Sequence, residues 1–239
     1  MRVPFYWKEY MSGKSKLKYG PYSFSAMNTF VQCKRKYKYL KIDKIDPGPR
    51  DMTALLKGGA VHDILEKYPQ KSTHKLAPKY QHIADKFISS ELGQLYLKED
   101  SIREFKFSIN NKLEFRSFGD KSSMFRGAMD HVIIIDNKLH IIDWKTGKYR
   151  EQKYQDYTQL IYYAVTLFIK YQHVDEITIS FVYIEHMLEN KLVLQREHFH
   201  NHLRDLVTTI KDIETEEEFP KSPSALCDWC EFQKHCNKS

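Results

Sequence analysis

Apolar and polar positions follow two periods, and the change between them falls near residue 104. Before it the spacing is helical. Ser23-Phe24-Ser25 reads as a helix start with Ser25 at the N-cap, the helix turning Met27, Phe30 and Val31 inward and reaching Cys33. Asp46-Pro47-Gly48-Pro49 is a loop. Gly58-Gly59 then precede a second helix, whose Val61, Ile64, Leu65 and Tyr68 repeat at i, i+3, i+4 and i+7. Residues 79–97 read as a third.

From Glu104 the period is two: Phe105, Phe107 and Ile109 alternate with Glu104, Lys106 and Ser108, the pattern of a half-buried strand that Leu113–Phe118 could pair with. The clearest hairpin follows, Met129–Ile135, the pair Asp136-Asn137, then Lys138–Trp144. Residues 157–170 are helical, Ile177–Ile184 and Leu192–Arg196 are strands, and a long helix carries Leu203, Leu206, Val207, Ile210 and Ile213 on one face. Helices, strands, a helix, strands and a helix in that order describe an α/β domain with a mixed sheet.

Composition narrows the class. The 239 residues, 41% hydrophobic and 14% aromatic, are enough for a substantial core and argue against wholesale disorder. The longest clean aliphatic run, Val132–Ile135, is far too short to span a bilayer, and the first residues lack the apolar stretch of a secretory signal. An intracellular, cytoplasmic setting is expected, with the four cysteines serving as ligands or free thiols.

The net charge of +7 is uneven: residues 1–60 hold 13 Lys and Arg against 4 Asp and Glu, and the rest of the chain is slightly acidic. Lys14, Lys16, Lys18, Lys34, Arg35, Lys36, Lys38, Lys41 and Lys44 are interleaved with Tyr19, Tyr22, Phe24, Phe30, Tyr37 and Tyr39. That mixture suits single-stranded nucleic acid, since cations neutralise phosphates and aromatic faces stack on bases. It equally describes a solvated basic helix whose aromatics face the core.

The candidate chemistry sits on the hairpin. With Asp136-Asn137 as a two-residue turn, Asp130 falls opposite Asp143, and Lys145, two residues further, shares that face of the sheet. Two converging carboxylates repel unless a proton or cation lies between them, and a hard divalent metal is the natural occupant. The amine can hold an attacking water or offset charge developing on a phosphate. An isolated Asp-x-Lys is more often an ordinary surface ion pair, but Gly127 and Thr146-Gly147 leave backbone room at both ends, and His62, with Glu66 one turn on, offers a further ligand. Gln159 and Tyr163 lie one turn apart on the next helix.

Cys227-x2-Cys230-x5-Cys236 lies in the tail and Cys33 far upstream; four thiolates can hold zinc or an iron–sulfur cluster, and spacing alone does not choose between them or exclude free thiols. Gly13-Lys14-Ser15 matches only the end of a P-loop, because Lys8 occupies the place of its first glycine.

Taken in order, Gly58-Gly59-Ala60-Val61-His62, Gly127-Ala128-Met129-Asp130, Asp143-Trp144-Lys145-Thr146-Gly147 and Gln159-x-x-x-Tyr163 resemble the motifs of RecB-type nucleases of the PD-(D/E)xK superfamily. The resemblance implies a restriction-endonuclease-like mixed central sheet flanked by helices, Mg²⁺ or Mn²⁺ held by His62, Asp130, Asp143 and the carbonyl of Trp144, a catalytic Lys145, and Gln159 and Tyr163 supporting the site or the DNA. Glu104 matches an acidic residue that some members carry on an earlier strand. The cysteines, one before these motifs and three after, resemble the iron-staple subset that includes the CRISPR-associated exonucleases and the AddB subunit. That implies a 4Fe–4S cluster on Cys33, Cys227, Cys230 and Cys236, joining the N- and C-terminal segments. Departures are few: Lys34 where proline often follows the first cysteine, Trp144 where tyrosine is usual, and Met129 for the nominal proline.

The expectation is one nuclease domain over residues 1–239: a basic segment (1–50) with the first cysteine, a PD-(D/E)xK core (51–213) and a cysteine-rich tail (214–239). Its implied activity is metal-dependent DNA hydrolysis, as an exonuclease on single strands or free ends, with protein partners in recombination, repair, replication or CRISPR adaptation. Two rival expectations stand beside it: a non-catalytic nucleic-acid-binding or adaptor protein keeping the fold, and structural zinc on the cysteines.

Overall fold

The computed structural model describes residues 17–97, 101–135 and 137–236. Its helices and strands run α1 (Phe24–Gln32), α2 (Lys34–Tyr37) continuing into a π turn (Lys38–Ile42), α3 (Thr53–Lys67), α4 (Ala77–Ile88), α5 (Glu91–Tyr96), β1 (Ile102–Asn110), β2 (Phe115–Arg116), β3 (Ser123–Ile135), β4 (Lys138–Lys145), α6 (Thr158–Lys170), β5 (Glu176–Tyr183), β6 (Leu188–Gln195) and α7 (Phe199–Thr215). The strands form one sheet in the order β2-β1-β3-β4-β5-β6. β1/β2, β3/β4 and β5/β6 are antiparallel, and β4/β5 is parallel. A parallel pair needs a crossover, and α6 supplies it. The expected mixed α/β sheet flanked by helices is observed. Among the described residues no helix is long and apolar enough to cross a membrane.

The β3/β4 register is the one the two-residue turn predicts, from Ile135↔Lys138 to His131↔Ile142; Asp136 itself lies outside the described residues. β2 pairs with β1 through Ser108↔Arg116 and Ile109↔Phe115. Several local expectations are corrected. Ser23, not Ser25, caps α1, its hydroxyl accepting from the Ala26 N–H at 3.3 Å, and Val31 is exposed while Met27 and Phe30 are buried. α3 starts at Thr53, so Gly58 and Gly59 lie inside it and His62 is in mid-helix. The burial of Ala60, Val61, Ile64 and Leu65 outweighs the propensity cost of two glycines, roughly 1 kcal/mol each.

The helix over 79–97 is two helices. Ser89 and Ser90 break it, the Ser90 hydroxyl capping α5 on the Gly93 N–H at 3.1 Å. β1 alternates only at first: Ser108 and Asn110 are as buried as the apolar residues beside them. Ser108 meets its polar need through a 2.6 Å hydrogen bond with Ser123.

The chain divides into two compact units, one bounded by Met1–Asp51, Ser108–Gly127 and Leu203–Ser239, the other by Met52–Phe107 and Ala128–His202. In the first, Glu214 accepts hydrogen bonds from the main-chain N–H groups of Lys18 (2.7 Å) and Tyr19 (3.0 Å) and from the Tyr22 hydroxyl. Lys34 pairs with Glu216 at 2.5 Å, Lys36 with Glu231 at 2.9 Å, and Arg35 donates to the Phe219 carbonyl at 2.8 Å. The Tyr37 and Phe219 rings stack at 6.2 Å. Three successive cations of the basic segment thus hold the C-terminal tail, and Tyr22, Phe30 and Tyr37 face the core. Lys14 and Lys16 lie outside the described residues.

The second unit buries Val61, Ile64, Leu65, Ala84 and Phe87 against Ile142, Trp144, Val182 and Ile184. This packs the helices α3 and α4 on the sheet face that carries the Trp144 side chain. α6 is apolar nearly all round, as a buried crossover requires. Its C-terminal carbonyls are capped by Arg196, which donates to Tyr171 at 2.6 Å and Phe168 at 3.3 Å.

Candidate active site

Every residue that sequence reasoning placed in the nuclease site lies in the second unit. The hairpin supplies Asp130 from β3 and Asp143, Trp144 and Lys145 from β4. Asp130 is the next position after the last ladder pair, and its carboxylate accepts the Trp144 N–H at 2.9 Å. α3 brings His62, whose Nδ1 stands 3.4 Å from Asp130 Oδ1. Lys145 Nζ lies 2.6 Å from Asp143 Oδ2 and 4.7 Å from the centre of the Phe181 ring. Gln159 Nε2 donates to Tyr163 Oη at 3.3 Å, and the Tyr163 ring meets Phe107 edge-on at 5.0 Å.

The electrostatics show that these groups converge. Asp143 is buried, and its carboxyl is held well above the usual carboxylate range, first by burial and then by the charge of Asp130, with Lys145 and His62 opposing. For His62, burial works against the charged ring, but the hydrogen bond to Asp130, the charges of Asp130 and Asp143 and a main-chain hydrogen bond to Trp144 raise it on balance. The Tyr163 hydroxyl is pushed up to about 12, mainly by burial and further by Asp143, Asp130 and Glu104. Glu104 is raised by burial, then by Glu66 and Asp130. It also has a left-handed backbone, φ 49°, within β1, a sparsely populated conformation for a non-glycine residue that local structure must enforce.

The donor set therefore contains two carboxylates, the ligand type a hard divalent cation takes, and an imidazole. As placed, Asp143 turns to Lys145 and Asp130 to His62 and Trp144. Among the described residues no group of three or more His, Cys, Asp or Glu side chains is set out to hold a metal ion. Gly59 and Gly147 have no protein atom within 4 Å of where a side chain would begin, so the space beside them is open.

The four cysteines lie in the first unit and line one cavity of about 400 Å³, together with Arg35, Lys36, Tyr39 and Phe232. All four are free thiols of intermediate exposure. Cys33 Sγ accepts from the Lys36 N–H at 3.5 Å and Cys227 Sγ from Ser224 at 3.4 Å.

Two features escaped sequence reasoning. Phe181 reaches Lys145 only because β5 runs parallel to β4 with Asp143↔Phe181 in register, and no local motif encodes that pairing. In the sequence Glu66 stands only one turn from His62, and its charge acts on Glu104 through the placement of α3 near β1.

Comparison with known proteins bears on the family and the fold. The sequence model of the PD-(D/E)XK nuclease superfamily matches residues 21–237, and the chain belongs to that superfamily. Its members are nucleases, so nucleic acid is the substrate class. No curated protein matches the sequence. Among solved structures, a protein from Eubacterium rectale named "Putative exonuclease" is similar over 100% of this chain and 94% of its own, at 14% identity and a TM-score of 0.52, a likeness of fold. The protein SSO0001 is similar over 98% of this chain and 94% of its own, at 15% identity and a TM-score of 0.43.

Proposed function

We propose that the protein hydrolyses phosphodiester bonds of DNA with Mg²⁺ or Mn²⁺, as a RecB-like exonuclease on single strands or ends, in recombination, repair, replication or CRISPR adaptation. The observation that carries the reading is the joining of Asp130, Asp143 and Lys145 at one hairpin end, with Lys145 Nζ 2.6 Å from Asp143. His62, Asp130, Asp143 and the Trp144 carbonyl would hold the metal, which when bound supplies charge to the phosphate and acidity to water. Lys145, pressed on the Phe181 face and on Asp143, orients the water whose oxygen attacks phosphorus. As that P–O bond forms the bond to the leaving oxygen breaks, the attacking water giving up a proton to solvent and the leaving oxygen taking one from it. Asp130 fixes the Trp144 main chain, and Tyr163, its hydroxyl kept protonated, offers a donor at the edge of the site.

The cysteine cavity supports a second part of the proposal, a 4Fe–4S cluster on Cys33, Cys227, Cys230 and Cys236 that fastens the two chain ends of the first unit. Iron, sulfide and zinc analysis after anaerobic purification decides it; stoichiometric zinc without iron overturns the cluster. End-labelled DNA with Mg²⁺ or Mn²⁺ tests the activity. Lys145→Ala should cut roughly 10²- to 10³-fold more slowly, and cleavage at the parent rate would remove Lys145 from the mechanism.

A further inference from the structure

The segment from Thr146 to Tyr157 leaves β4 directly after Lys145 and enters α6 one residue before Gln159, so residues of the candidate site flank it at both ends. It is anchored from below. Asn190, 1% exposed, donates from Nδ2 to the Arg150 carbonyl at 2.7 Å and accepts from the Tyr149 hydroxyl at 3.2 Å. Gln152 donates to the Lys191 carbonyl at 3.0 Å, and the Tyr183 hydroxyl donates to Gln155 at 2.5 Å. Asp156 closes the loop by accepting from the Thr158 N–H at 2.9 Å. A buried amide used at both ends holds this loop in one shape.

Its outer side is different. Lys148, Arg150, Lys153 and Tyr154 are exposed, Tyr154 to 68%. Lys153 is shared between Glu151, 3.0 Å away, and the Tyr154 face at 4.9 Å. Lys148 and Arg150 appear in no ion pair among the described residues. The basic and aromatic mixture that the sequence shows most densely near the N-terminus is partly engaged there, Lys34, Arg35 and Lys36 with the tail and Tyr22, Phe30 and Tyr37 with the core. Beside the carboxylate site it faces solvent on a rigid support.

We infer that this loop is a strand-holding subsite for single-stranded DNA: Lys148 and Arg150 take backbone phosphates next to the scissile one, and Tyr154 stacks on an unpaired base. The inference rests on the nuclease reading for the direction in which the strand leaves the site. A base in a duplex is already stacked and cannot offer its face, so the subsite favours single strands or frayed ends.

The test uses the full-length protein in EDTA, with a fluorescein-labelled 20-nucleotide dT strand and a 20-base-pair duplex followed by anisotropy across a salt series. A Lys148→Ala/Arg150→Ala double variant should raise Kd for the dT strand about tenfold and flatten the slope of log K against log salt by about 1.4, two phosphates' worth. Tyr154→Ala should raise Kd for the strand about five- to tenfold and change the duplex less than twofold, with Tyr154→Phe restoring strand binding. Because these side chains are exposed, thermal melting should be unchanged in all three. If both variants bind the dT strand within twofold of the parent, the subsite is wrong. A parent that cuts DNA with Mg²⁺ while the variants bind and cut as it does overturns the subsite and leaves the nuclease reading standing. A parent that cuts nothing, yet loses strand binding on these substitutions, overturns the nuclease reading and supports the subsite. A parent that binds no strand overturns the subsite.

Discussion

Four of the candidate site residues, Asp130, Asp143, Trp144 and Lys145, belong to one hairpin, whereas Cys33 is separated from Cys227, Cys230 and Cys236 by most of the chain. The hairpin residues are placed by a hydrogen-bond ladder whose register follows from a two-residue turn. The cysteines are brought to one cavity only by contacts between distant segments of their unit: the Glu214 clamp, the Lys34–Glu216 and Lys36–Glu231 pairs, and the Tyr37–Phe219 stack. Local geometry that repeats along a ladder is robust to change elsewhere. A cavity closed by long-range contacts is as stable as the weakest of them.

Substitutions that silence one site and spare the other break this comparison most sharply. Asp143→Asn should lower DNA cleavage on the order of 10³-fold while leaving thermal melting within a few degrees, because it removes charge from a site where burial already disfavours that charge. Equal loss of cleavage and of melting temperature would mean that Asp143 holds the fold.

Gly93→Ala is the largest expected effect on the fold itself: its side chain would begin 2.0 Å from the Phe87 carbonyl, so the turn between α4 and α5 must shift, at about 3 kcal/mol. Chemical denaturation reads this directly. In the first unit, Glu214→Gln should cost about 1–3 kcal/mol, since a neutral amide cannot accept all three hydrogen bonds as the carboxylate does. Thiol-reactive labelling of the four cysteines should then quicken. Unchanged labelling would show that the cavity closes without the clamp.

Acid should act on the second unit. His140 is buried, its Nε2 2.6 Å from the Ser180 hydroxyl, and burial pulls its pKa down to about 4, with Glu189 opposing and Lys191 assisting. The unfolded chain takes up that proton near pH 6.5, before the folded one does. The contribution of neutral His140 is therefore complete above about pH 6.5 and is lost as pH falls toward 4. Denaturation midpoints at pH 7.5, 6 and 5 should fall in that order, and less steeply in His140→Gln. The smallest effect is Gly59→Ala, a helix-interior glycine with open space around it, expected to stabilise by about 0.5–1 kcal/mol.

The signals that were legible in the chain share one property: they repeat over a short span. The hairpin register, the β1/β2 pairing and the buried stripe of α7 all follow from periods read within a dozen residues. The misreadings fall where a neighbour outside the window decides. Gly58-Gly59 look like a helix boundary but lie within α3, because packing of the residues after them outweighs propensity. Val31 looks internal by hydropathy and is exposed. Residues 79–97 look like one helix until two serine hydroxyls intervene, Ser89 donating to the Asp85 carbonyl and Ser90 accepting from the Gly93 N–H.

By itself the sequence determined which side chains can do chemistry, and through the hairpin it determined that Asp130, Asp143 and Lys145 share a sheet end, since register is a local consequence of turn length and strand alternation. Only the tertiary structure decided that His62 reaches Asp130, that Phe181 lies under Lys145, that Lys34, Arg35 and Lys36 hold the tail, and that Asn190 anchors the exposed basic loop. Each of those depends on which distant segments pack together, and that is a property of the whole core, with no period to read along the chain.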